Sequence, residues 1–425
     1  MLKELHLQNF KGFADATLSL GPLTTLVGTN ASGKSNVRDA LRFLHGVARG
    51  YSLADIIGEK WGEGGVLQWR GIRGGSAEAA YLGRSSFALE AKFNITNGLL
   101  LPETGAYMIE VEPGRNGKPR VIRESLYAAG TMMFDSHPPQ NPPQQTDPQH
   151  LAVRILAGGQ YKKGPVENLI AQQPVLSQIL DRLVVRKDPS ADKVQTSVKA
   201  ALAAFGSMRF LDLSPEAMRL PSLPGQTTLG DRGENLSSVL QAIYEQPQRK
   251  SALVEWLREL TPMDVADLEF PADQTGRVLV TLVEQDGQKT SAYSASDGTL
   301  RFLAMLAALL GPEPSRLYFI EELENGLHPA RLYLLLDLIE KRTAAGDIQV
   351  VATTHSPQQV RLLTTASQQS SSLCYRLAGH SEARIRRLLD LPPEARQVIE
   401  DGDLGHLYQS GWFENIMSYM EEEEG

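Results

Sequence analysis

The chain of 425 residues is long enough for two or three domains, or for one domain with a large insertion. A formal net charge of −8 argues against a surface devoted wholly to nucleic acid, although a local basic groove remains open. The single cysteine, Cys374, cannot form an internal disulfide. Since no apolar stretch has signal-peptide or bilayer length, we expect a soluble, cytoplasmic protein without membrane association.

The first 135 residues predict mainly strands, interrupted by one glycine-rich loop and one helix. Residues 2–20 indicate two strands around a turn, and residues 21–28 form an apolar strand that enters the loop. Apolar residues at helical spacing predict a helix over 36–48. β-rich runs follow at 87–95, 106–112 and 119–128. The last two are separated at 114–117 by a hairpin signal.

A change of composition follows at 136–150, where prolines among glutamines mark an exposed loop or linker. From about 151 to 260 the pattern predicts mainly helical structure. This stretch holds the most concentrated basic residues, which are Lys162, Lys163, Arg182, Arg186, Lys187, Lys193 and Lys199. Such a cluster fits the neutralisation of nucleic-acid phosphates, and it fits a solvated helix face equally well.

The C-terminal half predicts strands that alternate with helices. A hairpin over 277–293 turns at Asp286-Gly287. Then come a helix at 299–310, a strand at 316–322, a helix at 329–342 and a strand at 348–356. This alternation predicts a parallel α/β sheet. No apolar heptad runs long enough for a coiled coil.

A phosphate-binding loop is the strongest motif. Residues 28–35, GTNASGKS, match GxxxxGK[ST] between an apolar strand and a helix, which is the context that the motif requires. Backbone N–H groups and the helix N-terminus would surround phosphate oxygens. Lys34 would reach the β- and γ-phosphates, and the Ser35 hydroxyl would ligate Mg²⁺. The alternative is an ordinary glycine-rich turn. The motif in its context predicts a site for a nucleoside triphosphate and Mg²⁺.

Two acids follow the next buried strand. Glu321 and Glu322 stand at the carboxyl end of Leu317–Ile320, where ligands bind in open α/β sheets. In phosphate-loop NTPases the first such acid holds the Mg²⁺ shell, and a second carboxylate can act as general base toward water. The alternative is the solvated start of the helix at Pro329, where the helix dipole favours acids.

Two weaker motifs complete the set. The strand that ends at His355 should reach the same sheet edge, where this histidine could contact the γ-phosphate and the attacking water. A lone histidine is otherwise a surface or capping residue. Ser296 and Gly298 would present a hydroxyl and free N–H groups at a helix N-terminus as a second anion site. The alternative there is an ordinary Ser/Asp N-cap.

In this order the four motifs resemble the ATP-binding cassette ATPases of the SMC, RecF and OLD group, in particular stand-alone bacterial AAA-like ATPases of phage-defence operons. The resemblance is carried by NFKGF (9–13), GTNASGKSN (28–36), SDGTLR (296–301), FIEELENGLHP (319–329) and VVATTHSP (350–357). A weaker echo is the connector FLDLSPEAMRLPS (210–222). The resemblance implies an α/β P-loop NTPase fold of the SMC/RecF-like head type, with a mostly helical insertion.

The resemblance also implies a role for each motif residue. Nucleotide binding would fall to Gly28, Asn30, Gly33, Lys34, Ser35 and Asn36 of Walker A, with Ser296 and Gly298 of the signature. In Walker B, Glu321 would hold Mg²⁺ together with Ser35, and Glu322 would be the catalytic base. Residues 324–327 would form the D-loop, and His355 would be the catalytic switch histidine. Asp297 stands where transporters have Gly, with no consequence that the sequence reveals.

In this group two ATPase heads close face to face, so that each ATP lies between the Walker A motif of one head and the signature of the other. A homodimer, or a higher homo-oligomer built from such pairs, is therefore implied. The Q-loop cannot be assigned with the same ease. Gln68 is one candidate, and its neighbours Arg70 and Arg73 could line either a phosphate or a partner surface.

The resemblance divides the chain into four parts. These are an ATPase N-lobe with a β-rich subdomain (1–135), a mainly helical insertion (136–260), a C-lobe with signature, Walker B, D-loop and switch histidine (261–390), and a helical, acidic tail (391–425). Only about 70 residues follow His355, too few for the Toprim nuclease domain of OLD proteins. The aromatic segment 408–419 could dock a partner protein, or it could form a helix that caps the core.

The function implied is an ATP-hydrolysing conformational switch in anti-phage defence, which senses DNA or a phage trigger and controls a separate effector, a nuclease or a toxin. The alternative is a RecF-like clamp ATPase of DNA repair and recombination. A transporter subunit is disfavoured by the large insertion between Walker A and the signature. ATP and Mg²⁺ are the expected cofactors, and DNA is a candidate partner in both hypotheses.

Overall fold

The computed structural model describes residues 1–95, 103–114, 118–128, 130–139, 142–156, 164–184, 189–260, 265–377, 379–401 and 404–424. In the N-terminal part the strands are β1 (Leu2–Phe10), β2 (Phe13–Ser19), β3 (Leu23–Val27), β4 (Glu59–Trp61), β5 (Leu67–Arg70), β6 (Phe87–Ile95), β7 (Glu103–Glu112), β8 (Arg120–Ala128) and β9 (Thr131–Asp135). The helices of that part are α1 (Lys34–Ala48), α2 (Leu53–Ile57) and α3 (Gly75–Glu78).

The middle part contains β10 (His150–Ile155), β11 (Val166–Ile170), α4 (Val175–Val184), α5 (Pro189–Gly206), β12 (Met208–Leu211), α6 (Pro215–Met218), α7 (Leu236–Tyr244) and α8 (Pro247–Leu260). The C-terminal part contains β13 (Val265–Glu269), β14 (Thr281–Glu284), β15 (Lys289–Ser291), α9 (Asp297–Leu310), β16 (Leu317–Ile320), α10 (Pro329–Ala344), β17 (Gln349–Thr354), α11 (Pro357–Arg361), α12 (Thr365–Gln369), β18 (Ser372–Tyr375), β19 (Arg384–Arg387), α13 (Pro393–Asp401), α14 (Leu404–Gln409) and α15 (Trp412–Glu424).

A six-stranded sheet in the order β12-β16-β17-β3-β18-β19 forms the centre of the fold. Its first five strands are parallel, and β19 pairs antiparallel with β18. Every residue of β3, β16 and β17 is buried, as expected for parallel strands covered on both faces. The predicted α/β fold is confirmed, and the carboxyl ends of these three strands lie at one edge of the sheet.

An eight-stranded antiparallel sheet, β11-β10-β9-β8-β7-β6-β1-β2, covers one side of the core. Burial alternates strictly along β6 because one face packs inward and the other faces solvent. The inward face shares one apolar cluster with α1 and α5. β7 and β8 pair as the hairpin signal predicts, although Arg115, Asn116 and Gly117 of the turn lie outside the described residues.

The helical prediction from residue 151 is wrong for its first part. β10 and β11 extend the eight-stranded sheet, and the first helix in the described part of this stretch begins at Val175. The run Leu151–Ile155, apolar except for Arg154, is buried throughout, and periodicity alone cannot assign such a run to a strand or a helix. Of the basic residues, Lys162, Lys163, Arg186 and Lys187 lie outside the described residues. The division of the chain into four parts remains a prediction.

The aromatic C-terminal segment packs on the core. Phe413, Met417 and Tyr408 are buried in one cluster with Val27 of β3 and Tyr375 of β18. This packing is that of a core-capping helix, the second of the two interpretations of the segment. Within the described residues, no helix is long and apolar enough to cross a bilayer.

Candidate active site

The loop between β3 and α1 is held tightly against the sheet. The Gly28 N–H donates to the Thr354 carbonyl at 3.2 Å. A Cβ atom at Gly28 would lie only 2.2 Å from the carbonyl oxygen of Cys374. Gly33 has a φ of 112°, a left-handed conformation that favours glycine, directly before α1 begins at Lys34. Both glycines of the motif are therefore required by the loop itself.

The interior of this loop is suited to an anion. The buried Lys34 ammonium donates to the carbonyls of Gly28 at 2.6 Å and Thr29 at 2.8 Å. Burial lowers the pKa of Lys34, against the opposing field of acids that include Glu322. The Ser32 hydroxyl is buried and has no hydrogen-bond partner among the residues that the structure describes. A buried lysine, an orphaned hydroxyl and the N-terminus of α1 together fit the phosphates of a nucleotide.

The two acids after β16 have different surroundings. Glu321 Oε2 lies 3.5 Å from Arg38 Nη1 on α1, so the acid is drawn toward the helix that follows the phosphate-binding loop. Glu322 has a φ of 51°, and its N–H donates to the Thr353 hydroxyl at 3.0 Å. Asn325 Nδ2 donates to Glu322 Oε2 at 2.8 Å. The second acid is therefore held in a fixed, left-handed conformation.

His355 is held between two carboxylates. Its Nδ1 lies 3.5 Å from Glu322 Oε1 and 3.7 Å from Glu324 Oε1. Glu324 Oε1 also accepts from the Thr354 hydroxyl at 2.8 Å and from the His355 N–H at 3.2 Å. The structure thus brings the histidine to the acid pair, as the common sheet edge predicts.

A cleft of about 680 Å³ joins the loop to the acid pair. Of the residues predicted from the sequence it is lined by Asn30, Gly33, Lys34, Ser35, Asn36, Glu321 and Glu322. Gly28, His355, Ser296 and Gly298 are not among its lining residues. Sequence reasoning assigned no role to several further lining residues, which include Lys11, Asp212, Arg301 and Arg376. Lys11, Arg301 and Asp212 lie inside the quoted motifs NFKGF, SDGTLR and FLDLSPEAMRLPS, whereas no motif marked Arg376.

Arg73, one of the two open candidates around Gln68, lies at the cleft. Its guanidinium donates to the Ser35 carbonyl and, at 3.2 Å, to Asp39 Oδ2. Asp39 is buried and also pairs with Lys11 at 2.9 Å, so one carboxylate orients two cations at the site. Gln68 instead packs across its hairpin against Gly62, and is not among the lining residues of the cleft.

The signature residues occupy the start of α9. Ser296 is the N-cap, and its hydroxyl accepts from the Thr299 N–H at 3.1 Å, which is the capping geometry that we kept as an alternative. Gly298 is buried, and a Cβ there would lie 2.5 Å from the Gly326 carbonyl oxygen. Gly298 therefore packs directly on Gly326 of the predicted D-loop, and neither Ser296 nor Gly298 lines the cleft of its own chain.

Two family models match the chain. The model "AAA domain, putative AbiEii toxin, Type IV TA system" matches residues 170–360, and the model "AAA ATPase domain" matches residues 1–76. The second match contains the phosphate-binding loop, and the first contains the signature, both acids and His355. The two matches therefore cover every motif on which the site is built.

Curated relatives match over a short stretch. The chain is 41% identical over 63 residues to the chromosome partition protein Smc of Clostridium kluyveri, and 44% identical over 63 residues to that of Halothermothrix orenii. Each match covers 13% of this chain and 5% of the relative, so the chain spans only a small part of these proteins.

The solved structures to which the chain is similar include two SMC heads. An SMC head bound to the C-terminal winged-helix domain of ScpA covers 91% of this chain and 96% of its own, at 13% identity and a TM-score of 0.49. The SMC head domain of Thermotoga maritima covers 91% and 98%, at 14% identity and a TM-score of 0.42.

Proposed function

We propose that this chain is an SMC/RecF-like ABC-type ATPase, which binds ATP with Mg²⁺ and hydrolyses it to ADP and phosphate. One observation carries the proposal. Lys34 and Ser35 of the loop line the same cleft as Glu321 and Glu322, although nearly 290 residues separate the two motifs. A phosphate cradle that faces two carboxylates is the arrangement that hydrolysis of a nucleoside triphosphate requires.

Each residue has a part in this reaction. The loop N–H groups, the N-terminus of α1 and Lys34 bind the phosphates, and Ser35 with Glu321 would hold Mg²⁺. The ion supplies charge neutralisation on the phosphates when bound. Glu322 accepts the proton of the water that attacks the γ-phosphorus. His355, fixed by Glu324, lies beside this base and contacts the water or the γ-phosphate.

The active unit in this proposal is a head-to-head homodimer, or a larger assembly of such pairs. Ser296 and Gly298 are not among the residues that line their own chain's cleft. They lie instead at the start of a 14-residue helix, whose N-terminus attracts anions. In a face-to-face dimer they contact the ATP of the partner, and the cleft is complete only when the second copy closes on it.

The variant Glu322→Gln tests both parts of the proposal. Without the general base, we expect ATP hydrolysis to fall by about 10²- to 10⁴-fold while ATP still binds. With ATP present, the variant should therefore accumulate as a stable dimer. Phosphate release measures the rate of hydrolysis, and light scattering after gel filtration measures the dimer. Glu313→Gln, an exposed acid that bonds Thr227, is the matched control. Unchanged turnover contradicts the base assignment, and absence of a dimer contradicts the head-to-head arrangement.

For the biological role, we propose a switch in anti-phage defence whose ATP-driven closure controls a separate effector. The description of the family model that matches 170–360 refers to a toxin and a toxin–antitoxin system, which supports this role. Co-purification with the product of a neighbouring gene, dependent on ATP and on Lys34, is the expected result. If the isolated chain protects cells against phage without a partner protein, the proposal of a separate effector is wrong.

A RecF-like DNA clamp is the second candidate, and the similarity to chromosome partition proteins favours it. A clamp predicts that the isolated chain binds DNA with an affinity that falls steeply with salt. Fluorescence anisotropy with duplex DNA at several salt concentrations, with and without ATP, distinguishes the two. DNA binding without any protein partner favours the clamp over the switch.

A further inference from the structure

The connector that leaves β12 reaches across to the signature. Arg219 lies at the end of the short helix α6. Its Nη2 donates to the Ala295 carbonyl at 2.9 Å and to Asp297 Oδ1 at 2.7 Å. These two acceptors stand immediately before and after Ser296. One guanidinium nitrogen therefore bonds to the residues on both sides of Ser296, the N-cap of α9.

Arg219 is fixed from both sides of the chain. The Arg219 N–H donates to the Pro215 carbonyl at 3.1 Å, and the neighbouring Met218 is fully buried. Three residues later, Ser222 and Val278 exchange backbone hydrogen bonds at 3.0 and 2.9 Å. The backbone around Arg219 is thus anchored before and after it, so its side chain approaches the signature from a defined position.

This contact is poorly explained by stability alone. The Arg219 side chain is 27% exposed and that of Asp297 is 63% exposed, so water and salt screen the ion pair. Ion pairs of this kind contribute little to the free energy of folding. The contact instead fixes the orientation of the backbone on either side of Ser296.

We propose that Arg219 is a positioning residue that holds Ser296 and the first turn of α9 in the orientation that engages the ATP of the second copy. This inference rests on the proposed function. It gives Asp297, where transporters have glycine, a role as the acceptor for Arg219. Asp212 and Leu213 of the same connector line the cleft of their own chain. The connector therefore links the cleft of a chain to the signature of that same chain.

The first test separates turnover from ATP binding. Arg219→Ala leaves the chain's own phosphate-binding loop intact, so we expect KM for ATP to stay nearly constant while kcat falls by about 10- to 100-fold. Asp297→Asn keeps an acceptor but loses the charge, and its kcat should fall less. Arg232→Ala, which removes a guanidinium that bonds Ser214 on the same connector, is the control and should change neither constant. Thermal melting of each variant identifies any general loss of folding.

The second test uses the composite nature of the site. Lys34→Ala removes phosphate binding but keeps an intact signature, whereas Arg219→Ala does the reverse. A mixed dimer of the two contains one complete site, so the mixture should hydrolyse ATP several-fold faster than either variant alone. If mixed dimers form and the rate does not recover, Arg219 acts within its own chain and the inference is wrong.

The outcomes of this inference and of the proposed function remain distinct. A wild-type chain that neither hydrolyses ATP nor dimerises with it contradicts the proposed function itself. A wild-type chain that does both, combined with an Arg219→Ala variant of unchanged kcat, overturns only the positioning role. If Arg219→Ala melts at a lower temperature than the wild type, Asp297→Asn takes its place. Unchanged turnover of the folded Asp297→Asn variant would contradict the positioning role of Arg219. The absence of recovery on mixing with Lys34→Ala would contradict it as well.

Discussion

Glu322 adopts a backbone conformation that its residue type rarely takes. A φ of 51° places a long side chain in the left-handed region, at a cost of about 1–3 kcal/mol. The hydrogen bond from its N–H to the Thr353 hydroxyl and the one from Asn325 to its carboxylate offset this cost. The sequence predicted which acid follows the strand, but the bend that aims it depends on β17 and the D-loop.

Gly28 gives a test of the loop geometry that does not depend on catalysis. In Gly28→Ala the new methyl would meet the Cys374 carbonyl at 2.2 Å, so the loop or β18 must move. We expect a loss of about 1–3 kcal/mol in the free energy of unfolding and weaker ATP binding. Urea unfolding and titration with a fluorescent ATP analogue measure the two effects.

Gly206→Ala is the matched control, since the nearest atom to a Cβ at that glycine is Ala48 Cβ at 3.9 Å. It should unfold at nearly the wild-type urea concentration and bind ATP normally. Equal stability of the two alanine variants would show that the loop accommodates a methyl group, and that the predicted close contact with β18 is wrong.

At the scale of elements, the strands and helices that a local sequence pattern marks were predicted well. β3, β16 and β17 are short apolar runs between turn signals, and α1, α9 and α10 show helical spacing. β10 was missed because it pairs with β9 across residues 136–149, outside any local window, and β11 was missed with it because β11 pairs with β10. The sequence therefore located the strands that carry the motifs better than those that extend the outer sheet.

The start of α4 is tied to the outer sheet by one buried acid. Glu124 on β8 accepts from the N–H groups of Val175 and Leu176, each at 2.7 Å, and from the Tyr107 hydroxyl at 2.9 Å. Burial raises the pKa of Glu124 to about 7, although these three donors oppose the shift. No sequence pattern indicates this link, because 51 residues separate Glu124 from Val175.

The raised pKa of Glu124 predicts a pH-dependent stability. The folded chain binds a proton that the unfolded chain has already released above its ordinary pKa of 4.5. The contribution is therefore fully present below pH 4.5 and is lost as the pH rises through about 7, a change of about 3 kcal/mol. Urea unfolding at several pH values in this interval measures it.

Glu124→Gln isolates this contribution from those of other groups. The amide cannot titrate and leaves one helix donor unpaired, so the variant should be less stable at low pH but should lose less stability as the pH rises. Glu112→Gln, a more exposed acid that pairs with Arg120 on the same sheet, is the control. If the Glu124 variant keeps the pH dependence of the wild-type stability, that dependence comes from other groups.

Across the whole molecule, the site depends on contacts between distant parts of the chain. Arg38 reaches Glu321, Arg73 reaches Ser35, and Arg219 reaches Asp297. The motifs predicted that the loop and the acids would meet, since each has a recognised chemistry. The arginines that orient them have no spacing rule, because each is selected by the three-dimensional position of its acceptor.

Gln349 connects the two large sheets, and it provides the test at this scale. This buried amide at the start of β17 accepts from the Leu2 N–H at 3.0 Å and donates to the carbonyls of Leu2 and Gly21, each at 2.8 Å. Gln349→Met keeps the volume but leaves these backbone groups unpaired. We expect a loss of about 2–4 kcal/mol in the free energy of unfolding, measured by urea denaturation.

The same substitution should loosen the outer sheet from the core before the core itself unfolds. Hydrogen exchange would then show faster exchange in β1 and β2 than in β3 and β17, because β1 and the core meet at this amide. Gln288→Met, at an exposed hairpin turn, controls for the change of residue type and should leave both sheets unaffected. Equal exchange in all four strands of the Gln349 variant would mean that apolar packing alone joins the sheets, and that this amide is dispensable for presenting the phosphate-binding loop.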